Sequence, residues 1–148
     1  MPNTIKKTSR SILLVDDDVS DKVLIQKILK ECDSKITLHH VEDGEKAMRF
    51  LRQKDPYQDV ERPDLVLLDL NLPRKEGGEV LLEIRSDPDL TALPVVILST
   101  SKAPADIRNC YALHANAFVS KPGDLNQFRS AVEGLHSFWF SVAKLPSD

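Results

Sequence analysis

Leu65-Val66-Leu67-Leu68 is an unbroken apolar run set between Asp64 and Asp69, and it limits what this chain can fold into more than any other stretch. A run that is short, rich in branched residues and apolar at every position reads as a strand buried on both faces. A parallel sheet with helices on either side provides that environment. Two further runs share its form, Ser11-Ile12-Leu13-Leu14-Val15 and Val95-Val96-Ile97-Leu98. Each run ends in polar residues: Asp16-Asp17-Asp18 after the first in sequence, Asp69 after the central one, and Ser99-Thr100-Ser101 after the last. Ligands of open α/β sheets bind in the crevice outside the carboxyl ends of the strands.

Helical patterns separate these strands. Ser20 is the expected N-cap of the first helix, whose Leu24 and Ile28, and Ile25 and Leu29, pair at i, i+4. Ile36–Val41 reads as a second, partly alternating strand ending at the turn signal Asp43-Gly44, before a helix over Glu45–Gln53. The polar segment Lys54–Arg62, with Pro56, is a connecting loop. Pro73 and Gly77-Gly78 turn the chain after the central strand into a third helix, Gly78–Ser86. Pro104 suits the first turn of a fourth helix, Ala105–Leu113. Ala117–Ser120 is a short fifth strand cut off by Lys121-Pro122-Gly123, and a long last helix runs over Leu125–Val142. Five βα units with short connections predict one α/β domain, a doubly wound parallel sheet with helices on both faces.

Composition excludes several functions. The chain has 148 residues and a net charge near −3, with no basic stripe to neutralise phosphates, which argues against a nucleic-acid footprint. No apolar run is long enough to span a bilayer, and the short run Ile12–Val15 is no signal peptide, so the expected location is cytoplasmic. Residues 1–10 lack apolar periodicity and are expected to form a flexible leader. Cys32 and Cys110 have neither disulfide nor metal-ligand spacing. His39 and His40, adjacent on a strand, point to opposite faces and cannot share an ion; with His114 and His136 they are read as structural or surface groups. No glycine pattern supports nucleotide binding.

With strands one, three, four and five adjacent, Asp16, Asp17, Asp69, Ser99 and Lys121 fall on one rim. Two carboxylates about 4 Å apart repel by ~4 kcal/mol at an effective dielectric near 20, so three together call for a compensating cation. Hard oxygen ligands with room for water suit Mg²⁺. One carboxylate would then serve as nucleophile and form an aspartyl phosphate. Phosphoryl transfer asks a protein mainly to position groups and neutralise charge, and Lys121 and the Ser99 hydroxyl are available for the equatorial oxygens. Taken singly, each of these residues has a bland reading, such as solvated acids leading a helix. Their joint placement at the ends of different strands points to a site.

These residues resemble the receiver domain of two-component response regulators: Asp16-Asp17 after ILLV, Asp69 inside LVLLDLNLP, the turn ending at Gly77, Ser99 after PVVIL, and Lys121-Pro122 after FVS. The likeness spans about residues 11–135. It implies a flavodoxin-like (βα)5 fold with strand order 2-1-3-4-5. It also implies that Asp69 is phosphorylated by a sensor histidine kinase. Asp17, Asp69 and the backbone carbonyl of Asn71 would bind Mg²⁺ directly, with Asp16 acting through water. Ser99 and Lys121 would hold the phosphoryl group, Phe118 would be the switch aromatic, and the Lys121–Pro122 bond would be cis. Such a protein is a phosphoacceptor rather than an enzyme in the ordinary sense. Gly123, where an aromatic often follows the proline, and Glu76, where Asp is usual, depart from the pattern.

The segment from Gly134 to Pro146, with the long loop before the central strand, is similar to the small stand-alone response regulators that accompany cyanobacterial phytochromes. Residues 136–148 are therefore expected to form a dimerisation tail. Phe138, Trp139 and Phe140 cannot all face one core, and aromatics are enriched in interface cores, so a homodimer is expected. The competing arrangement wraps the tail on its own domain. Without a DNA-binding segment, output would pass to a downstream protein by direct contact. Two other functions compete with this reading: a receiver fold that binds without phosphorylation, and a phosphatase of the haloacid dehalogenase type. The latter needs a second Asp where Asn71 stands and a Thr or Val at Pro73.

Overall fold

The computed structural model describes residues 9–148. Five strands, β1 (Ser11–Val15), β2 (Thr37–Val41), β3 (Leu65–Leu68), β4 (Val95–Ser99) and β5 (Ala117–Ser120), form one parallel sheet in the order β2-β1-β3-β4-β5. Five helices alternate with them: α1 (Val19–Cys32), α2 (Gly44–Leu51), α3 (Gly77–Ser86), α4 (Pro104–Ala112) and α5 (Leu125–Ser137). The three apolar runs occupy the middle of the sheet and are buried at every residue, whereas β2 and β5 are the edges and are only half covered.

Alternation along the central strands builds two cores. Leu13, Val15, Val66, Leu68, Val95 and Ile97 meet Ala47, Phe50 and Leu51 of α2 and Val80, Leu81 and Ile84 of α3 on one face. Ile12, Leu14, Leu65, Leu67, Val96 and Leu98 meet Ile25, Ile28 and Leu29 of α1 and Phe128 and Val132 of α5 on the other. A strand with apolar residues at every position thus feeds both layers, as a parallel sheet requires.

Four local expectations are corrected. Asp18, not Ser20, caps α1, its carboxylate accepting from the backbone N–H of Ser20 and Asp21 and from the Ser20 hydroxyl. Asp binds these orphan donors at least as well as Ser, and lies where the chain is still extended. The last helix stops at Ser137 and passes into a π-helical turn, Phe138–Val142, which ends as Ala143 N donates to Phe138 O at 2.7 Å. Lys121–Pro122 is trans, and Asp55–Pro56 is the cis bond among the described residues. X–Pro bonds favour trans by about 0.5–1 kcal/mol unless contacts demand otherwise, and Lys121 reaches its partners from a trans backbone.

The fourth concerns the leader. Residues 1–8 of the expected flexible stretch lie outside the described residues, but Arg10 is tied down: its carbonyl accepts from Thr37 N at 2.9 Å, and its guanidinium pairs with Asp148 at 2.5 Å. The same knot holds the C-terminus. Ser147 Oγ donates to Asp64 Oδ1 at 2.6 Å, and Leu145 is buried. Trp139 and Phe140 pack against the α1–α5 core, so much of the tail does fold back on its own domain, leaving Phe138 and Val142 outward.

Candidate functional site

Hydrogen bonds between neighbouring strands bring the polar residues to one rim. Asp16 follows β1, its N–H donating to Val41 O at 3.1 Å, and Asp69 follows β3, its N–H donating to Val15 O at 3.0 Å. Lys121 follows β5 and donates its N–H to Ser99 O at 2.7 Å, which ties it to the end of β4. The turn after Asp69 closes because Gly77 approaches its backbone: a Cβ there would lie 2.1 Å from Asp69 O. Gly77 N donates to Leu70 O at 2.9 Å and fixes that turn.

The Lys121 ammonium is the centre of the arrangement. Its Nζ lies 2.8 Å from Asp16 Oδ2, 2.8 Å from Asp21 Oδ2 and 3.0 Å from Asp69 Oδ2. Asp16, Asp69 and Lys121 are buried and Asp17 is exposed. Burial alone would push the ammonium down, but hydrogen bonds to Asp16, Asp21 and Asp69 outweigh it and hold Lys121 above its ordinary value. Burial pushes the Asp16 carboxyl up, opposed by Lys121 and by the Asp18 N–H on Oδ1 at 2.9 Å. Asp69 Oδ1 accepts from Asn71 N at 3.3 Å.

One carboxylate oxygen from each of Asp16, Asp17 and Asp69 lies within 4.8 Å of the others, a separation that a single hard cation can bridge. Asp16, Asp17, Asp21 and Asp69 around one ammonium leave negative charge in excess, so this donor set fits a divalent metal. Ser99 is fully buried at the end of β4, its Oγ accepting from Ser101 N at 3.3 Å. Asn71 is exposed in the loop after Asp69. Phe118 is half-buried against the α2–α3 core, its N–H donating to Tyr111 Oη at 3.2 Å.

Asp16, Asp17, Asp69 and Lys121 therefore meet as the sequence predicts, with Ser99 one backbone hydrogen bond away. Asp21 was missed. The signal was the cap: with Asp18 at the N-cap, Asp21 is the third helical residue, and an acid there reaches back toward the start of the helix. His40 Nε2 lies 2.6 Å from Asp16 O, while the His39 ring meets that of Phe50 at 5.0 Å, tilted by 52°.

Comparison with known proteins gives a consistent result. A model of the response regulator receiver domain matches residues 12–133. The chain is 43% identical over 136 residues to Response regulator Rcp1 of Synechocystis sp., covering 92% of each sequence. The crystal structure of the phosphorylated cyanobacterial phytochrome response regulator RcpA superposes with a TM-score of 0.91 at 46% identity, over 94% of this chain and 99% of that one. The Mn²⁺-bound form of Rcp1 gives 0.88 at 43% identity, over 93% and 99%.

Proposed function

The chain belongs to the response regulator receiver domain family, and from that premise we propose that Asp69 is its phosphoacceptor. A phosphohistidine of a sensor histidine kinase would be the donor. Kinship with Rcp1 and with RcpA, a cyanobacterial phytochrome response regulator, supports a phytochrome as that kinase. The observation that carries the reading is the buried ammonium of Lys121, 3.0 Å from the Asp69 carboxylate at the mouth of the acid cluster.

An oxygen of Asp69 attacks phosphorus as the bond to the donor nitrogen breaks, and the histidine departs with the electron pair. Asp16, Asp17, Asp69 and the Asn71 carbonyl would hold Mg²⁺, which supplies charge neutralisation for the incoming phosphoryl group. Lys121 keeps one donor on the reacting side and pairs with an equatorial oxygen. The Ser99 hydroxyl donates its hydrogen to another oxygen, while its lone pairs still accept the N–H of Ser101. Phe118, on β5, turns into the space that Ser99 leaves.

The acquired charge, roughly −1.5 to −2 at neutral pH, is read by other proteins in the cytoplasm. Among the described residues no helix is long and apolar enough to cross a membrane. Residues 11–135 form the receiver unit and 136–148 the dimerisation tail. Phe138 and Val142, one turn apart and 51% and 69% exposed, supply the tail's outward apolar surface for a second copy. Phe140 and Trp139 back that surface from within, Trp139 with its ring edge-on to Phe138 at 5.2 Å.

Acetyl phosphate with Mg²⁺ and intact-mass detection tests the phosphoacceptor. Wild type gains one phosphoryl group and Asp69→Asn gains none; equal gain by both overturns the assignment. Truncation before Phe138 raises the monomer fraction in size-exclusion chromatography, and an unchanged elution volume refutes the dimer.

A further inference from the structure

We propose that Asp21 is a positioning residue for Lys121, fixing the direction in which its ammonium meets the phosphoryl group; this rests on Asp69 being the phosphoacceptor. An ammonium carries three N–H donors and no acceptor. In this rim each donor has its own carboxylate: Asp16, Asp69 and Asp21. The first two belong to the strand ends where transfer takes place. The third comes from a different element, the first turn of α1, and its side chain is 22% exposed against 1% and 10% for the others.

Lysine is a point charge on a flexible four-carbon stem, so two contacts on the reacting side leave its third donor free to swing toward water. Asp21 closes that freedom. It is itself held, because its backbone N–H donates to the Asp18 cap at 3.3 Å. The cap of α1, Asp21 and Lys121 thus form a brace from one face of the domain to the loop after β5. When an oxygen of Asp69 bonds to phosphorus, the donor now on Asp69 Oδ2 passes to a phosphoryl oxygen without the ammonium having to reorient. No proton moves in that step: with acetyl phosphate, the oxygen–phosphorus bond of the donor breaks and acetate leaves with the electron pair.

A brace and a simple charge predict different variants. Asp21→Asn keeps a carbonyl acceptor in place while removing the charge, and Asp21→Ala removes both. With acetyl phosphate and Mg²⁺, Asp21→Ala is expected to lose about 10-fold in phosphorylation rate, the scale of a misplaced charge-stabilising group. Asp21→Asn is expected to stay within about 3-fold of wild type, since a carbonyl still accepts the hydrogen bond. The Lys121 Nζ–H signal in ¹H–¹⁵N spectra should be protected from exchange in wild type and Asp21→Asn and lost in Asp21→Ala. If Asp21→Ala fails to fold, the Asp21→Asn rate and signal decide alone. Equal loss in both variants, or a rate in Asp21→Ala that matches wild type, overturns the brace. Failure of wild type itself to gain the group overturns the phosphoacceptor reading instead.

Discussion

Lys121→Ala is the perturbation that most directly probes the rim. It leaves Asp16 and Asp69 buried without the ammonium now 2.8 and 3.0 Å away. Stranding buried charge costs ~3–5 kcal/mol, and the more exposed Asp21 pair adds at most ~1 kcal/mol. At about 3 °C per kcal/mol for a domain of this size, the melting temperature falls by roughly 10–15 °C without metal. The loss depends on pH with a definite sign. In wild type the Lys121 value lies above 10.5, so its contribution is complete below that pH and disappears only as pH rises through the folded value. In the variant Asp16, already raised by burial from 3.8, rises further. The folded state then binds more protons than the unfolded one in that window, and stability falls as pH increases through it. Urea melts in EDTA should therefore give a small deficit near about pH 4 and the full one near about pH 7.5. Saturating Mg²⁺ should narrow the gap. A deficit of equal size at both pH values, or one under about 1 kcal/mol at neutral pH, refutes the charge-compensation account.

Gly77→Ala drives a methyl into the Asp69 carbonyl, so urea melts should show a loss of about 1–3 kcal/mol and the phosphorylation rate should fall with it. Asp18→Ala removes the α1 cap and should cost about 1 kcal/mol in the same melts, while Ser20→Ala costs less, because the Ser20 hydroxyl only donates to the Asp18 carboxylate.

The fold was legible because the three central strands carry the unbroken apolar runs Ile12–Val15, Leu65–Leu68 and Val95–Leu98, a pattern that leaves few arrangements besides a covered parallel sheet. The rim was legible for the same reason: each carboxylate or ammonium stands immediately after a strand, so strand adjacency alone gathers Asp16, Asp69 and Lys121. Asp21 was hidden by a misplaced cap. An i, i+4 apolar pattern locates a helix face but does not say whether Asp18 or Ser20 begins it, and both are good caps. The tail was misread in part. Three adjacent aromatics argue for surfaces on several sides, but sequence gives no sign of the π-helical turn that presses Trp139 and Phe140 inward, nor of the Arg10, Asp64, Ser147 and Asp148 knot beyond them. Those contacts link residues far apart in the chain, where local pattern carries no information.

The position of Lys121 at the end of an edge strand also bears on how a change at the rim could travel. β5 has four residues, and its inner side is bonded to β4, with Lys121 N on Ser99 O. On its outer side the N–H of Phe118 donates to Tyr111 Oη, which joins the strand to α4. A displacement of Lys121 or Ser99 would reach Phe118 along this four-residue strand, and the Tyr111 bond would couple it to α4. Tyr111→Phe removes that acceptor at a site 49% exposed, where water takes over the donor, so the cost to global stability is about 1 kcal/mol or less. The local effect is larger in relative terms: the Phe118 amide should exchange roughly 5-fold faster with deuterium, while amides of β1 and β3 keep their protection. Phosphorylation of Asp69 should proceed at the wild-type rate, because Tyr111 touches none of the reacting groups. Unchanged exchange at Phe118 would mean that the tyrosine bond carries no restraint and that α4 moves independently of the strand.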